Sequence, residues 1–166
     1  GLTYTEPLSE KERLFHQWNC ALDYLLEDPC VEAIPLLLNS IGDLQEHYLR
    51  ISQYLELYPD SEVAPCLLQA LRSDSATIRT FAADFAHDVD EMGSDLLEAL
   101  VAAIGDPDDN VRAYAVHALL IKAQRGLVDL HPYKKALKDA SKKEMAEDIN
   151  MLYKNLFKAA GFSRLF

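Results

Sequence analysis

Apolar residues recur along this chain at spacings of three and four, the period of an α-helix buried on one side. Leu14, Trp18, Leu22 and Leu25 form one such stripe. The same pattern returns in two segments that resemble each other. Leu67 to Ala86 reads LLQALRSDSATIRTFAADFA, and Leu100 to Leu119 reads LVAAIGDPDDNVRAYAVHAL. A shift of 33 residues lays Leu67, Ala70, Arg79 and Ala82 on Leu100, Ala103, Arg112 and Ala115. It lays Leu68, Leu71, Ile78 and Phe81 on the similar Val101, Ile104, Val111 and Tyr114. No run alternates apolar and polar residues as a half-buried strand does. The predicted helices are 9–27, 29–40, 44–58, 62–72, 75–90, 95–104, 108–124, 132–139 and 142–160.

Helix-start signals punctuate these segments. Ser9 and Glu12 form a capping box, as do Ser141 and Glu144. Asp28-Pro29 and Asp106-Pro107 are read as starts, with Asp as cap and Pro at the first helical position. Asp60 or Ser61, and Ser94 after Gly93, are read the same way. The first helix then stands alone, and the other eight form four antiparallel pairs near 29–58, 62–90, 95–124 and 132–160. Residues 1–8 are expected to be extended, and 1–166 to be one domain. Helix pairs recurring at this spacing bury their apolar faces by stacking on their neighbours.

The stretch DPDDNVRAYAVHAL resembles a HEAT repeat: Asp-Pro at the turn, then Val-Arg, then small residues before Leu. The likeness is carried best by 95–124, less by 62–90 and weakly by 29–58, while 132–160 keeps only the periodicity. It implies an all-α fold of the armadillo-like α-solenoid kind. The expectation is a right-handed α-α superhelix of about four HEAT-like helix pairs plus an N-terminal capping helix. In that family the turn Asp and the helix Arg form an internal ladder. Carried over, Asp106 goes with Arg112 and Asp74 with Arg79, a structural role.

Net charge is −11 and unevenly spread. Residues 1–110 hold 22 acids and 5 bases, whereas 111–166 hold 5 acids and 11 bases. Such asymmetry bears on partners rather than on fold. The acidic part repels nucleic acid and attracts a basic protein. Lys134, Lys135, Lys138, Lys142, Lys143, Lys154 and Lys158 are read as the charged outer face of a terminal cap. No apolar run approaches the ~20 residues of a membrane span. The opening GLTYTEPLSE has neither a basic region nor an apolar core, and the sparse cysteines Cys20, Cys30 and Cys66 are no disulfide framework. A reducing, cytoplasmic location is the expectation.

Candidate chemistry is thin. A calcium loop starting at Asp88 fits Asp90 and Gly93 but puts Met92 and Ala99 where ligands are needed. Asp90, Glu91 and Asp95 are read instead as an acidic rim for a basic partner. His16, His47, His87, His117 and His131 show no paired ligand spacing, so no metal or other cofactor is expected. The His-Glu dyads of HEAT-like metal hydroxylases are absent, Glu46-His47 being reversed. Cys30, read as the second residue of its helix, has Asp28 and Glu32 opposing thiolate formation.

In HEAT-like stacks the second helix of each pair lines the concave, binding side. Its stripes here are Thr77, Phe81, Asp84 and Asp88, then Asn110, Tyr114, His117 and Ile121, with a third of His47, Ile51, Tyr54 and Tyr58. Aromatics flanked by carboxylates suit an Arg- or Lys-rich ligand. Phe81, Ile51 and Tyr114 read equally well as core. The expected function is non-enzymatic binding of a basic protein through this face, as an inhibitor or immunity-type protein does. An adaptor domain of a larger scaffold is one alternative. A HEAT-like nucleic-acid-acting or lyase-type enzyme is the other.

Overall fold

A computed structural model of the chain describes residues 9–41 and 47–162, and every element in them is helical. The helices are α1 (Glu10–Glu27), α2 (Ala33–Ser40), α3 (Tyr48–Leu55), α4 (Asp60–Ala70), α5 (Ala76–Phe85), α6 (Gly93–Ala103), α7 (Asp109–Gln124), α8 (Lys134–Lys143) and α9 (Glu147–Ala159). A 3-10 turn, His131–Tyr133, precedes α8. The expectations for residues 1–8 and for a helix start at 44 lie outside the described residues. None of these helices is long and apolar enough to cross a membrane.

Packing follows the chain order. α2 packs on α4 and α4 on α6, while α5 packs on α7 and α7 on α9. Within pairs, α4 meets α5 and α6 meets α7. The buried apolar stripe is continuous, from Leu22 and Ile34 through Tyr54, Leu67, Phe81, Leu100 and Leu119 to Leu156. α1 docks on α3: Arg50 donates to Asn19 Oδ1 at 2.5 Å and also pairs with Asp23. The His47 ring stacks on Phe15 and Trp18. Of the expected α1 stripe, Leu22 is buried, but Leu14 is half exposed at 50%.

The helix ends show which local signals won. Ser9 caps α1 as expected: its hydroxyl accepts from the Glu12 amide, and the Glu12 carboxylate accepts from the Ser9 amide. α7 and α9 close on Gly126 and Gly161, both at positive φ. After α7, the Gly126 and Leu127 amides donate back to Ala123 and Lys122 carbonyls. After α9, Gly161 and Phe162 do the same to Lys158 and Phe157. That is the Schellman closure, and the 5.9 Å contact between the Phe157 and Phe162 rings supplies its apolar half.

Other start signals are corrected. Asp28 closes α1, its amide donating to the Tyr24 carbonyl, and α2 begins only at Ala33. Cys30 therefore lies before α2, and its thiol donates to Glu32. α4 begins at Asp60 after Pro59, so neither Asp60 nor Ser61 is its cap; the Asp60 carboxylate accepts the Glu91 amide instead. α6 begins at Gly93 rather than after Ser94, whose hydroxyl donates to Asp95. α7 is capped by Asp108, which accepts from the Asn110 and Val111 amides, not by Asp106. Ser141 and Glu144 do not form a capping box. Ser141 donates to the Lys138 carbonyl inside α8, and Glu144 is the residue that ends that helix.

Each expected Asp–Arg pair is in contact, but through the Asp backbone carbonyl and not its carboxylate. Arg79 does not pair with the Asp74 carboxylate. It grips Asp106 of the following repeat through two bonds of 2.8 and 2.9 Å, and its third arm donates to the Ser73 and Asp74 carbonyls. Arg112 grips Glu144 at 2.8 and 3.1 Å, donates to Asp109, and takes only the backbone carbonyl of Asp106. Each Arg thus uses backbone within its own turn and a carboxylate one step along the chain. A planar guanidinium makes both sets of bonds at once.

Candidate functional site

The α5 positions Thr77, Thr80 and Asp84 fall on one face, as do Asn110, Tyr114 and His117 of α7. Because α5 and α7 pack side by side, these faces form the floor and wall of one cleft. Tyr48, at the start of α3, supplies the opposite wall. The cleft measures about 420 Å³ and is lined by Tyr48, Ala76, Thr77, Thr80, Asp84, Asp108, Asn110 and Tyr114. Among the described residues, two carboxylates and no basic side chain line it.

Asp84 is held in place. Tyr48 Oη donates to its Oδ2 at 2.6 Å, and the Tyr48 ring packs edge-on against Phe81 at 4.4 Å. Burial, reinforced by the Asp84 hydrogen bond and charge, pushes the Tyr48 phenol far up, so it stays a proton donor. Asp108 spends one oxygen on the first turn of α7. Tyr114 presents its ring to solvent, 38% exposed. Carboxylates beside an exposed aromatic can accept a guanidinium's hydrogen bonds and stack on its face.

Of the residues expected on the binding face, Thr77, Asp84, Asn110 and Tyr114 meet in this cleft. Asp88 is exposed just beyond it, and Ile121 lies half-buried further along α7. Five are corrected. Phe81 is fully buried, covered by Tyr48 and stacked on Phe85, so it is core. Tyr54 is also fully buried: it donates to the Cys30 carbonyl at 2.6 Å and accepts from the Cys30 amide at 2.8 Å. Tyr58 bonds to the Tyr54 hydroxyl, so both tyrosines pin the turn between α1 and α2. Ile51 and His47 of the same stripe are buried as well.

The acidic rim divides. Asp90 is neutralised from within: Arg125 pairs with it at 2.7 Å, and the Lys122 ammonium lies 3.4 Å away. Desolvation works against its charge, but the Arg125 and Lys122 bonds outweigh this and hold its carboxyl below the usual range. Asp95 borders a different cleft, with Leu71, Arg72, Glu98 and Asp106, on the α4–α6 side. Glu91 is exposed. Lys122 itself went unnoticed in the pattern. It is wholly buried, its ammonium donates to the Val89 carbonyl at 2.5 Å, and burial pushes its pKa down against the pull of Asp90. Its signal was a lone Lys inside the apolar run Ala118–Ala123.

Local spacing also missed a second grouping. Asp84, His87 and His117, all half-buried, each offer one ligand-type atom within 4.8 Å of the others. They come from α5, the turn after it, and α7. No family model, no curated protein and no solved structure matches the chain.

Proposed function

We propose that this chain is a non-enzymatic protein-binding module that takes a basic partner into the α3–α5–α7 cleft. The observation that carries the reading is the cleft itself, which among the described residues presents two carboxylates, three small polar side chains, an exposed tyrosine and no base. An Arg or Lys side chain is the ligand this lining satisfies. The strongly acidic composition of residues 1–110 adds long-range attraction for such a partner. A HEAT-like, right-handed stack of helix pairs is the architecture we infer beneath it. The inter-repeat Arg79–Asp106 and Arg112–Glu144 bonds support that inference. A small acidic binder of this kind suits an inhibitor or immunity-type role against a basic effector.

The test pairs capture with kinetics. Proteins retained by the immobilised chain at low salt are identified, and the most basic of them is measured by surface plasmon resonance. Asn110→Lys with Tyr114→Ala alters only exposed positions of the cleft. We expect the double variant to keep its melting temperature and to lose about 2 kcal/mol or more of binding. A folded double variant that binds with unchanged rates overturns the reading.

A further inference from the structure

We propose that Asp84, His87 and His117 form a binding site for a divalent transition-metal ion, with Zn²⁺ the ion their donor set fits. The site does not depend on the cleft's having a protein partner. Two imidazoles and a carboxylate are the nitrogen–oxygen set that zinc takes when one coordination position stays open. A tetrahedral ion with bonds of about 2.0–2.1 Å holds its donors roughly 3.3 Å apart. The three donors lie within 4.8 Å of one another, so modest side-chain rotations close the gap.

The surroundings orient two of the three ligands, Asp84 and His87. Tyr48 donates to Asp84 Oδ2 and fixes the carboxylate, leaving Oδ1 on the His87 side, 3.7 Å from Nδ1. His87 Nδ1 lies 2.5 Å from the Asp84 carbonyl oxygen, a contact that calls for a proton on Nδ1. In the neutral ring that leaves the lone pair on Nε2. Nε2 in turn faces Asp88 Oδ1 at 3.3 Å. A metal ion bound at Nε2 would also have the exposed Asp88 carboxylate within reach of its fourth position. His117, its ring 5.7 Å from that of His87, completes the set from α7, so a bound ion ties α5 to α7.

The probe is Zn²⁺ alone, titrated calorimetrically into the full chain. Co²⁺ serves as the visible stand-in, its spectrum separating nitrogen–oxygen ligation from cysteine ligation. We expect one ion per chain, no thiolate charge-transfer band, and loss of binding in His87→Ala and in His117→Ala. Tyr48→Phe should weaken binding about 10-fold or more, as loss of a ligand-orienting bond does. His131→Ala, at an exposed histidine outside the group, should bind as the parent does. Because a variant could fail for lack of folding, the parent is also followed by long-range ¹H–¹⁵N spectra of its imidazoles. There Zn²⁺ should shift the ring nitrogens of His87 and His117 and leave those of His131 in place. Absence of saturable one-to-one binding, uptake undiminished in both histidine variants, or unmoved His87 and His117 signals would each overturn the site.

Discussion

Arg112→Met tests whether the ion pair between Arg112 of α7 and Glu144 at the end of α8 stabilises the helix packing. The change removes the guanidinium but keeps much of the aliphatic bulk. It strips Glu144 of its 2.8 and 3.1 Å bonds while the carboxylate stays buried, only 3% exposed. Removing one partner of a buried ion pair costs about 3–5 kcal/mol. Here Glu144 still accepts from the Met145 and Ala146 amides at 3.0 Å, which moves the expectation to the lower edge, about 3 kcal/mol. Glu144→Gln should cost less, about 1–2 kcal/mol, because Arg112 keeps Asp109 and two backbone carbonyls. The double variant should recover part of the loss, with a coupling of roughly 1–3 kcal/mol. Urea denaturation followed by circular dichroism measures all three. A cost below about 1 kcal/mol for Arg112→Met, or strict additivity of the pair, refutes the energetic role of this ion pair.

The same bond sets a pH dependence. The Arg112 hydrogen bonds, against opposing desolvation and with help from the Met145 and Ala146 amides, hold the Glu144 carboxyl below its usual range. A depressed folded value means the stabilisation is fully present above the unfolded pKa, about 4.3. It is lost as pH falls from there through the folded value, where the unfolded chain binds more protons. Glu144→Gln should therefore flatten the acid limb of the stability curve. Asp106, desolvated but held down by Arg79, contributes with the same sign, so the limb should shrink rather than vanish.

Phe81→Ala should cost about 3–5 kcal/mol of stability, whereas Tyr114→Ala should stay within about 1 kcal/mol, both read by thermal and urea melts; equal costs would undo the core-versus-cleft assignment. Deleting residues 131–166 uncovers the flank of α7 that α9 packs on, and the truncated chain should aggregate on light scattering. Asp88→Lys, at a half-exposed carboxylate, should slow association with a basic partner and weaken the salt dependence of that rate while leaving dissociation nearly unchanged, in stopped-flow or resonance measurements.

Helix content and period were legible because periodicity of apolar residues depends only on burial along one side. The Ser9–Glu12 box was legible because both partners lie within one turn. Ser141–Glu144 has the same local letters and failed, because Arg112, 32 residues away, claims the Glu144 carboxylate. Asp28 failed in the same way: a competent cap was read as the start of one helix and instead closes the helix before it. Phe81 and Tyr114 are equivalent in the repeat, yet one is core and the other surface. The difference is the Tyr48 ring over Phe81, which comes from a helix whose own repeat likeness is weak.

The chemistry that local motifs missed sits at separations close to one repeat. Lys122 donates to Val89, 33 residues earlier, and Arg125 to Asp90, 35 earlier. Tyr48 donates to Asp84 across 36 residues, and the Glu91 amide to Asp60 across 31. Asp84 and His117 are themselves one period of 33 apart. Because α5 packs on α7 and α4 on α6, residues about 33 apart on those helices are spatial neighbours, as i and i+4 are within one helix. A search for ligand pairs at HxxxH spacing examines a single helix face. Asp84, His87 and His117 instead converge between two helices, α5 and α7, that pack on each other, so their separation in sequence is set by that packing and not by one helix's turn.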